Sequence, residues 1–433
     1  MAMEEVLKEE LELIQVSNQE KNELKKIVDA TMQTIKSKID KLGIDAELFI
    51  GGSFAKGTLI KKSNYDVDIF LRFDKEYSEE QMREKFKRIF FWFKIPKHKA
   101  KIKLIHGSRD YYQILLTSPR KVCIEIIPVL KIIKPEQARN VIDLSYLHVT
   151  YVKKKLKEKP ELINEILLMK AFCHGQKCYG AESYVSGFSG YALELLIIHY
   201  GSFAKLLNEM MNYRQRMIID IAGHYQTIEE VVKSMNSSKI QCPIILIDPT
   251  LKERNTASAL SKETFEKFKE SATSFIKNPS IEFFTDKPVE ISHLNKIAWD
   301  NDGFVGIIEI KTNKQSGDIA GTKLLKFSKF LSRDVSKNFD ILKQEFEYDD
   351  KNKARVYYVL KNKSEIILTG PLINHQQAVQ GFKKAHPVWY VQGNRIFSAR
   401  PANITIKEFL KGFKKSNKKT IREMAIRKIK LVK

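Results

Sequence analysis

Asp66-Val67-Asp68 sets two carboxylates two residues apart in the run DVDIFLRF, residues 66–73, where polar and apolar residues alternate. Period-two alternation predicts a strand, and residues i and i+2 of a strand share a face. Both carboxylates then project together while Val67 and Ile69 turn to a core. Like charges this close need a cation. Hard oxygen pairs suit Mg²⁺, which commonly takes one or two carboxylates plus substrate phosphates. Asp-x-Asp alone is common on solvated strand faces, so its surroundings decide. Ser53 stands thirteen residues upstream of Asp66, in Gly51-Gly52-Ser53-Phe54-Ala55-Lys56-Gly57-Thr58. Small residues in such a turn let the backbone approach a phosphate; Ser53 adds a hydroxyl and Lys56 a positive charge. Downstream, KVCIEIIP (121–128) reads as a strand whose single acid, Glu125, shares a face with Cys123 and Ile127. A carboxylate among such neighbours is costly to bury unpaired, and placing it beside a metal-bearing Asp66–Asp68 strand removes that cost. Asp66, Asp68 and Glu125 could then hold two Mg²⁺ ions about 3.5–4 Å apart, an arrangement suited to in-line phosphoryl transfer.

These residues need a scaffold. Residues 4–42 carry an apolar stripe at helical spacing and read as helical, with Gly43 where a helix stops. Ala46–Ile50 is a strand candidate leading into the Gly51-Gly52-Ser53 turn. Residues 78–93 read as a helix, and strands are expected near 100–106, 111–117 and 121–127. The pattern is mainly helical from 152 to 215, with an apolar run at Ile244–Ile247 and another helix at 262–277. Strand-like runs follow at Gly303–Ile310, Ala354–Leu360 and Glu365–Leu368. The expected fold class is α+β. A catalytic domain with a mixed sheet and helices spans 1–150, a helical central domain 151–275, and an α+β body with a basic tail 276–433.

Charge narrows the function classes. Seventy-five Lys and Arg against 52 Asp and Glu leave +23, a field that attracts polyanions. Residues 411–433 hold ten Lys or Arg against one acid, Glu423. Lys414, Lys415, Lys418, Lys419, Arg422, Arg427 and Lys428 are candidate phosphate contacts, although any single lysine is more often just solvated. No apolar run is long enough for a membrane span and no signal-peptide pattern opens the chain, so a cytoplasmic protein without membrane partners is expected. Cys123, Cys173, Cys178 and Cys242 show neither a disulfide framework nor zinc spacing.

Together the Gly-Ser turn, the Asp-x-Asp strand and the later carboxylate strand resemble the polymerase-β-type nucleotidyltransferase superfamily. Within it the chain resembles the archaeal-type (class I) tRNA CCA-adding enzymes. The stretches are GGSFAKGT (51–58), DVDIF (66–70), EIIP (125–128), YGAESYVSGFSGYALELL (179–196), YGSF (200–203) and DPTLKERNTASALS (248–261), with GPLINHQQAVQGFKKAHP (370–387) a weaker match. The resemblance implies a polymerase-β-like catalytic domain that adds C, C and A to the 3′ end of tRNA from CTP and ATP. It makes Asp66 and Asp68 the metal-binding aspartates. Glu125 stands where the family usually has aspartate, and Lys56 where it often has arginine. Gly52, Ser53, Lys56 and Thr58 fall near the incoming triphosphate. His148, Lys170 and Tyr179 match phosphate-contacting positions, and Arg254 the residue at the base edge. The basic C-terminal part implies contact with the acceptor stem and stacked arm of tRNA. Homodimers occur in the family.

From the residues alone, His148, Lys170 and Tyr179 are individually weak: a lone His is more often a satisfied structural residue, and Tyr179 by default packs at a helix end. Lys170, inward on an apolar helix, wants an anionic partner such as triphosphate. Arg254 has a structural alternative, pairing with Asp248. The competing functions are a poly(A) polymerase or oligoadenylate-synthetase-like enzyme, and a catalytically inactive RNA-binding protein.

Overall fold

A computed structural model describes residues 2–96, 99–117, 121–213, 216–236, 240–401 and 404–433. The chain divides into two compact units, one of residues 1–181 with 185–286, the other of 182–184 with 287–433.

The first unit opens with two helices, α1 (Met3–Ile14) and α2 (Asn18–Leu42), where the periodicity predicted one. Ser17 accepts from the amide of Glu20 while Glu20 accepts from that of Ser17. This reciprocal cap starts a new helix after a break in which Gln15 and Ser17 are extended. Gly43, at φ 60°, ends α2 as expected. There follow β1 (Ala46–Ile50), the single-turn α3 (Gly52–Lys56), β2 (Tyr65–Phe73), α4 (Glu79–Phe90), β3 (Ala100–Ile105), β4 (Tyr111–Leu116) and β5 (Val122–Leu130). The strands lie in the order β1-β2-β5-β4-β3, with β2 and β5 parallel and the other neighbours antiparallel. One sheet face packs Val67, Ile69, Ile114, Ile124 and Ile126 against apolar residues of α2 and α4. The opposite face is the one that carries Asp66 and Asp68. Register aligns Asp66 with Cys123 and Asp68 with Glu125 on the adjacent strand.

A second core in this unit lies among α5 (Ser145–Glu158), α6 (Leu162–Gly175), α7 (Gly190–Tyr200), α8 (Phe203–Asn212) and the helix Lys262–Lys277. Its centre is aromatic: Phe172, Phe203, Phe268, Phe275 and Phe284 meet mostly edge to face. A small sheet of β6 (Met217–Asp220), β7 (Ile244–Asp248) and β8 (Leu251–Asn255) ends at Asp248 and carries Arg254.

The second unit contains β9 (Phe304–Thr312), β10 (Phe339–Tyr348), β11 (Lys353–Asn362), β12 (Glu365–Leu372), β13 (Tyr390–Gln392), β14 (Arg395–Pro401) and β15 (Ile426–Leu431). Four of them form the sheet β10-β11-β9-β15. The expected basic tail is folded into this unit: the helix Ile406–Ser416 buries Phe409, Leu410 and Phe413, and β15 pairs with β9. Among the described residues no helix is long and apolar enough to cross a membrane.

Candidate active site

The turn before β2 is set by two glycines. A Cβ on Gly51 would run into the Phe70 ring, and one on Gly52, whose φ is +60°, would collide with the Asp68 carboxylate. The chain after β1 can therefore lie against the aspartate strand only without side chains. A cavity of about 290 Å³ opens there, lined by Gly52, Ser53, Lys56, Thr58, Asp66, Asp68, Lys170 and Tyr179, so eight of the sequence-derived candidates converge. Lys62, His174, Tyr191 and Glu194 line it as well.

Glu125 sits one strand away on the same face, accepting from Gln113 Nε2 at 2.8 Å. All three carboxyls are pushed upward. Burial lifts Asp68 to about 6, opposed by Lys56 and reinforced by Asp66. Burial lifts Glu125 to about 7, opposed by the Gln113 hydrogen bond and reinforced by Asp68 and Asp66. Loss of surrounding water also raises Asp66, against the pull of Lys62. Among the described residues no three His, Cys, Asp or Glu side chains stand together as a ready-made metal cage. The face instead offers carboxylate oxygens with too little positive charge around them. That donor set fits a hard cation such as Mg²⁺, which takes one or two carboxylates and completes its shell with water and substrate phosphates.

Lys170 does not wait for a substrate anion, because the chain supplies one. Its Nζ lies 2.8 Å from Glu194 Oε1 and 2.9 Å from Thr58 Oγ1, and it is almost wholly buried. Lys56 Nζ reaches the other oxygen, Glu194 Oε2, at 2.6 Å, and Thr58 Oγ1 donates to Oε1 at 2.9 Å. Burial alone would raise the Glu194 carboxyl, but Lys170 and Lys56 outweigh it and hold it down at about 2. Glu194 was absent from the sequence-derived candidates. Its signal was a single acid in the otherwise apolar helix run YALELLII, which the spacing assigns to the core along with its neighbours.

His148 and Arg254 form a second cluster around Asp248. His148 Nε2 is 2.9 Å and Arg254 NH1 2.6 Å from the same Asp248 oxygen, and the Tyr191 hydroxyl donates to the other oxygen at 3.1 Å. The His148 ring stacks on Tyr191 at 4.3 Å between centroids. Burial would raise Asp248, but hydrogen bonding to His148 and the charges of His148 and Arg254 hold it well below the usual carboxylate range. The structural alternative for Arg254 is thus present, and because Tyr191 also lines the cavity, the cluster borders the candidate site.

The C-terminal candidates belong to the second unit. Lys414 and Lys415 line a groove with Lys407, Lys411, Lys428 and Lys430; Lys418, Lys419 and Arg422 are exposed on the following helix outside it. Arg427 is exposed on β15.

Residues 32–167 match the family described as nucleotidyltransferase domain, and residues 164–285 the family described as tRNA nucleotidyltransferase, second domain. The fold of residues 32–167 is that of a nucleotidyltransferase domain. The CCA-adding enzyme of Nanoarchaeum equitans is 39% identical over 219 residues, 51% of this chain and 52% of that protein, so the match spans about half of that relative. Those of Methanocaldococcus jannaschii and Thermococcus gammatolerans are 29% and 27% identical over 92% of this chain and 87% of each relative. Among solved structures, a cytoplasmic RNA terminal U-transferase superposes with a TM-score of 0.49 at 15% identity, over 66% of this chain and 99% of the other. Over most of its length the chain is thus similar to CCA-adding enzymes, and its two matched segments are those of a tRNA nucleotidyltransferase.

Proposed function

We propose that this chain adds C, C and A to the 3′ end of tRNA, using CTP and ATP and releasing pyrophosphate. The observation that carries this is the placement of the Asp66–Asp68 strand on a cavity also lined by Lys56, Lys62 and Lys170, in a chain whose relatives bear the name CCA-adding enzyme. Asp66, Asp68 and Glu125 would hold Mg²⁺. Two such ions, when bound, neutralise charge at the attacking 3′ oxygen and at the leaving pyrophosphate.

The chain's own residues bind and orient. Gly52 and Ser53 border the triphosphate, with Ser53 donating through its hydroxyl. Lys56 and Lys170, both paired with Glu194, keep one net positive charge at the cavity in a fixed place, so little side-chain reorganisation accompanies binding. Thr58 locks that pair, and Tyr179 closes the cavity wall beside Gly190. Arg254, steered by Asp248 and stacked His148, presents guanidinium donors to the base edge of cytosine or adenine. In this reading residues 1–150 carry the chemistry, 151–275 hold the nucleotide and 276–433 hold the tRNA, through Lys414, Lys415, Lys418, Lys419 and Arg422.

Primer extension tests the proposal. The purified chain is incubated with Mg²⁺ and a tRNA ending at its discriminator base. Two additions with CTP alone, none with ATP alone and three with both are expected. Long A tails would reassign it as a poly(A) polymerase, and bound but unextended tRNA would make it an RNA-binding protein.

A further inference from the structure

The sheet of the first unit carries charge well beyond its aspartates. Strand register sets two rows across the site face: Asp66, Cys123, Leu115, Lys101, and Asp68, Glu125, Gln113, Lys103. The Gln113–Glu125 hydrogen bond runs along the second row. Residues opposite one another in adjacent strands point to one face, so Lys101 and Lys103 stand on the carboxylate face, at the far edge. With strands spaced about 4.8 Å apart, three steps put them roughly 14 Å from the aspartates. Both lysines are exposed.

A groove of about 520 Å³ begins at Leu115 and Lys101 and continues past Lys99 to Lys94, with Phe93 and Ile95 in its lining. Among the described residues no carboxylate lines it. No Asp or Glu occurs between Phe91 and Lys103. Lysines on an edge strand also serve to keep sheets from pairing edge to edge. That accounts for Lys101 and Lys103 but not for Lys94 and Lys99, which lie outside the strand, nor for the acid-free lining.

Resting on the function proposed above, we propose that Lys101 and Lys103, with Lys94 and Lys99, form a phosphate track. It holds the RNA backbone a few nucleotides behind the 3′ end being extended. Charge complementarity selects the occupant: a single strand of RNA leaving the carboxylates along the two rows meets lysines, apolar side chains and the neutral hydroxyl of Thr117 in the groove.

The test compares wild type with Lys101→Gln/Lys103→Gln and with Lys101→Arg/Lys103→Arg in full-length protein, using a tRNA lacking its terminal CCA. The Gln pair should raise KM for RNA about tenfold, and the dependence of log KM on log salt should flatten by about 1.4, for two lost single-strand phosphate contacts. KM for CTP should not move, and the Arg pair should restore wild-type behaviour. An unchanged RNA KM and salt slope would overturn the track. So would self-association of the Gln pair with normal RNA KM for its monomer, which would make the lysines edge guards. If wild type extends no RNA, the functional reading fails by itself. Fluorescence anisotropy with the same labelled RNA then decides the track: tighter binding by wild type than by the Gln pair supports it, and equal binding overturns it.

Discussion

Asp68 and Glu194 line one cavity and are both carboxylates, yet their surroundings treat them in opposite ways. Glu194 is wholly buried, held by Lys170, Lys56 and Thr58, and stays ionised far into acid. Asp68 is pushed up to about 6 by burial, which the charge of Lys56 only partly offsets and the neighbouring Asp66 reinforces. Asp248 follows Glu194, compensated by His148 and Arg254. A carboxylate that the fold has already neutralised organises its neighbours. One that the fold leaves short of charge is disposed to take a cation from outside.

The contrast can be broken at several points. The largest effect is expected at the under-compensated pair: Asp66→Ala or Asp68→Ala should cut nucleotide addition about a thousand-fold or more while leaving tRNA affinity near wild type. Normal turnover in either variant would remove the metal assignment. Glu194→Ala should act on stability instead, costing about 3–5 kcal/mol in denaturant unfolding, because Lys170 would be left buried without its counter-ion. The folded Glu194 carboxyl titrates at about 2, against an ordinary value of 4.5. Its contribution is therefore complete above about pH 4.5 and drains away as pH falls toward 2. A variant whose acid unfolding midpoint matched wild type would contradict that pairing.

Divalent metal should sharpen the contrast from the other side. Mg²⁺ at a hundred times its Kd should stabilise wild type by about 2–3 kcal/mol, read as a rise in Tm that Asp68→Ala lacks. A rise of equal size in Asp68→Ala would place the ion elsewhere. Arg254→Ala should blur the choice between CTP and ATP by about tenfold, with a smaller change in triphosphate binding. Unchanged nucleotide preference would leave Arg254 as the structural partner of Asp248. The smallest effect is expected at the C-terminal groove: Lys414→Ala or Lys415→Ala should lower the salt slope of tRNA binding by no more than about 1 each, and an unaltered slope in the double variant would take these residues off the RNA footprint. Truncation near residue 405 is not the way to ask this, since it removes Phe409, Leu410, Phe413 and β15 from the core of the second unit.

What the sequence disclosed follows from the range of the interactions involved. The Asp66–Phe73 alternation, the Gly51-Gly52 turn and the Gly43 stop are local and were legible. The Ser17–Glu20 cap was local too, but continuous periodicity on either side masked it. Glu194 was invisible as a site residue because its partners lie 24, 136 and 138 positions away, and nothing in the run around it distinguishes a paired acid from a misplaced one. The rows that align Lys101 and Lys103 with the aspartates depend on three strand pairings, none set by local pattern. β10 was missed because most of its residues are at least partly exposed, so no apolar alternation announces it.

The Gly51-Gly52 turn carries a consequence for heredity. With the Phe70 ring against one α-carbon and the Asp68 carboxylate against the other, even a single added methyl must displace part of the site. A library randomised at both codons and selected for growth dependent on this enzyme should return glycine at each, whereas neighbouring Ala55 should drift freely among small residues.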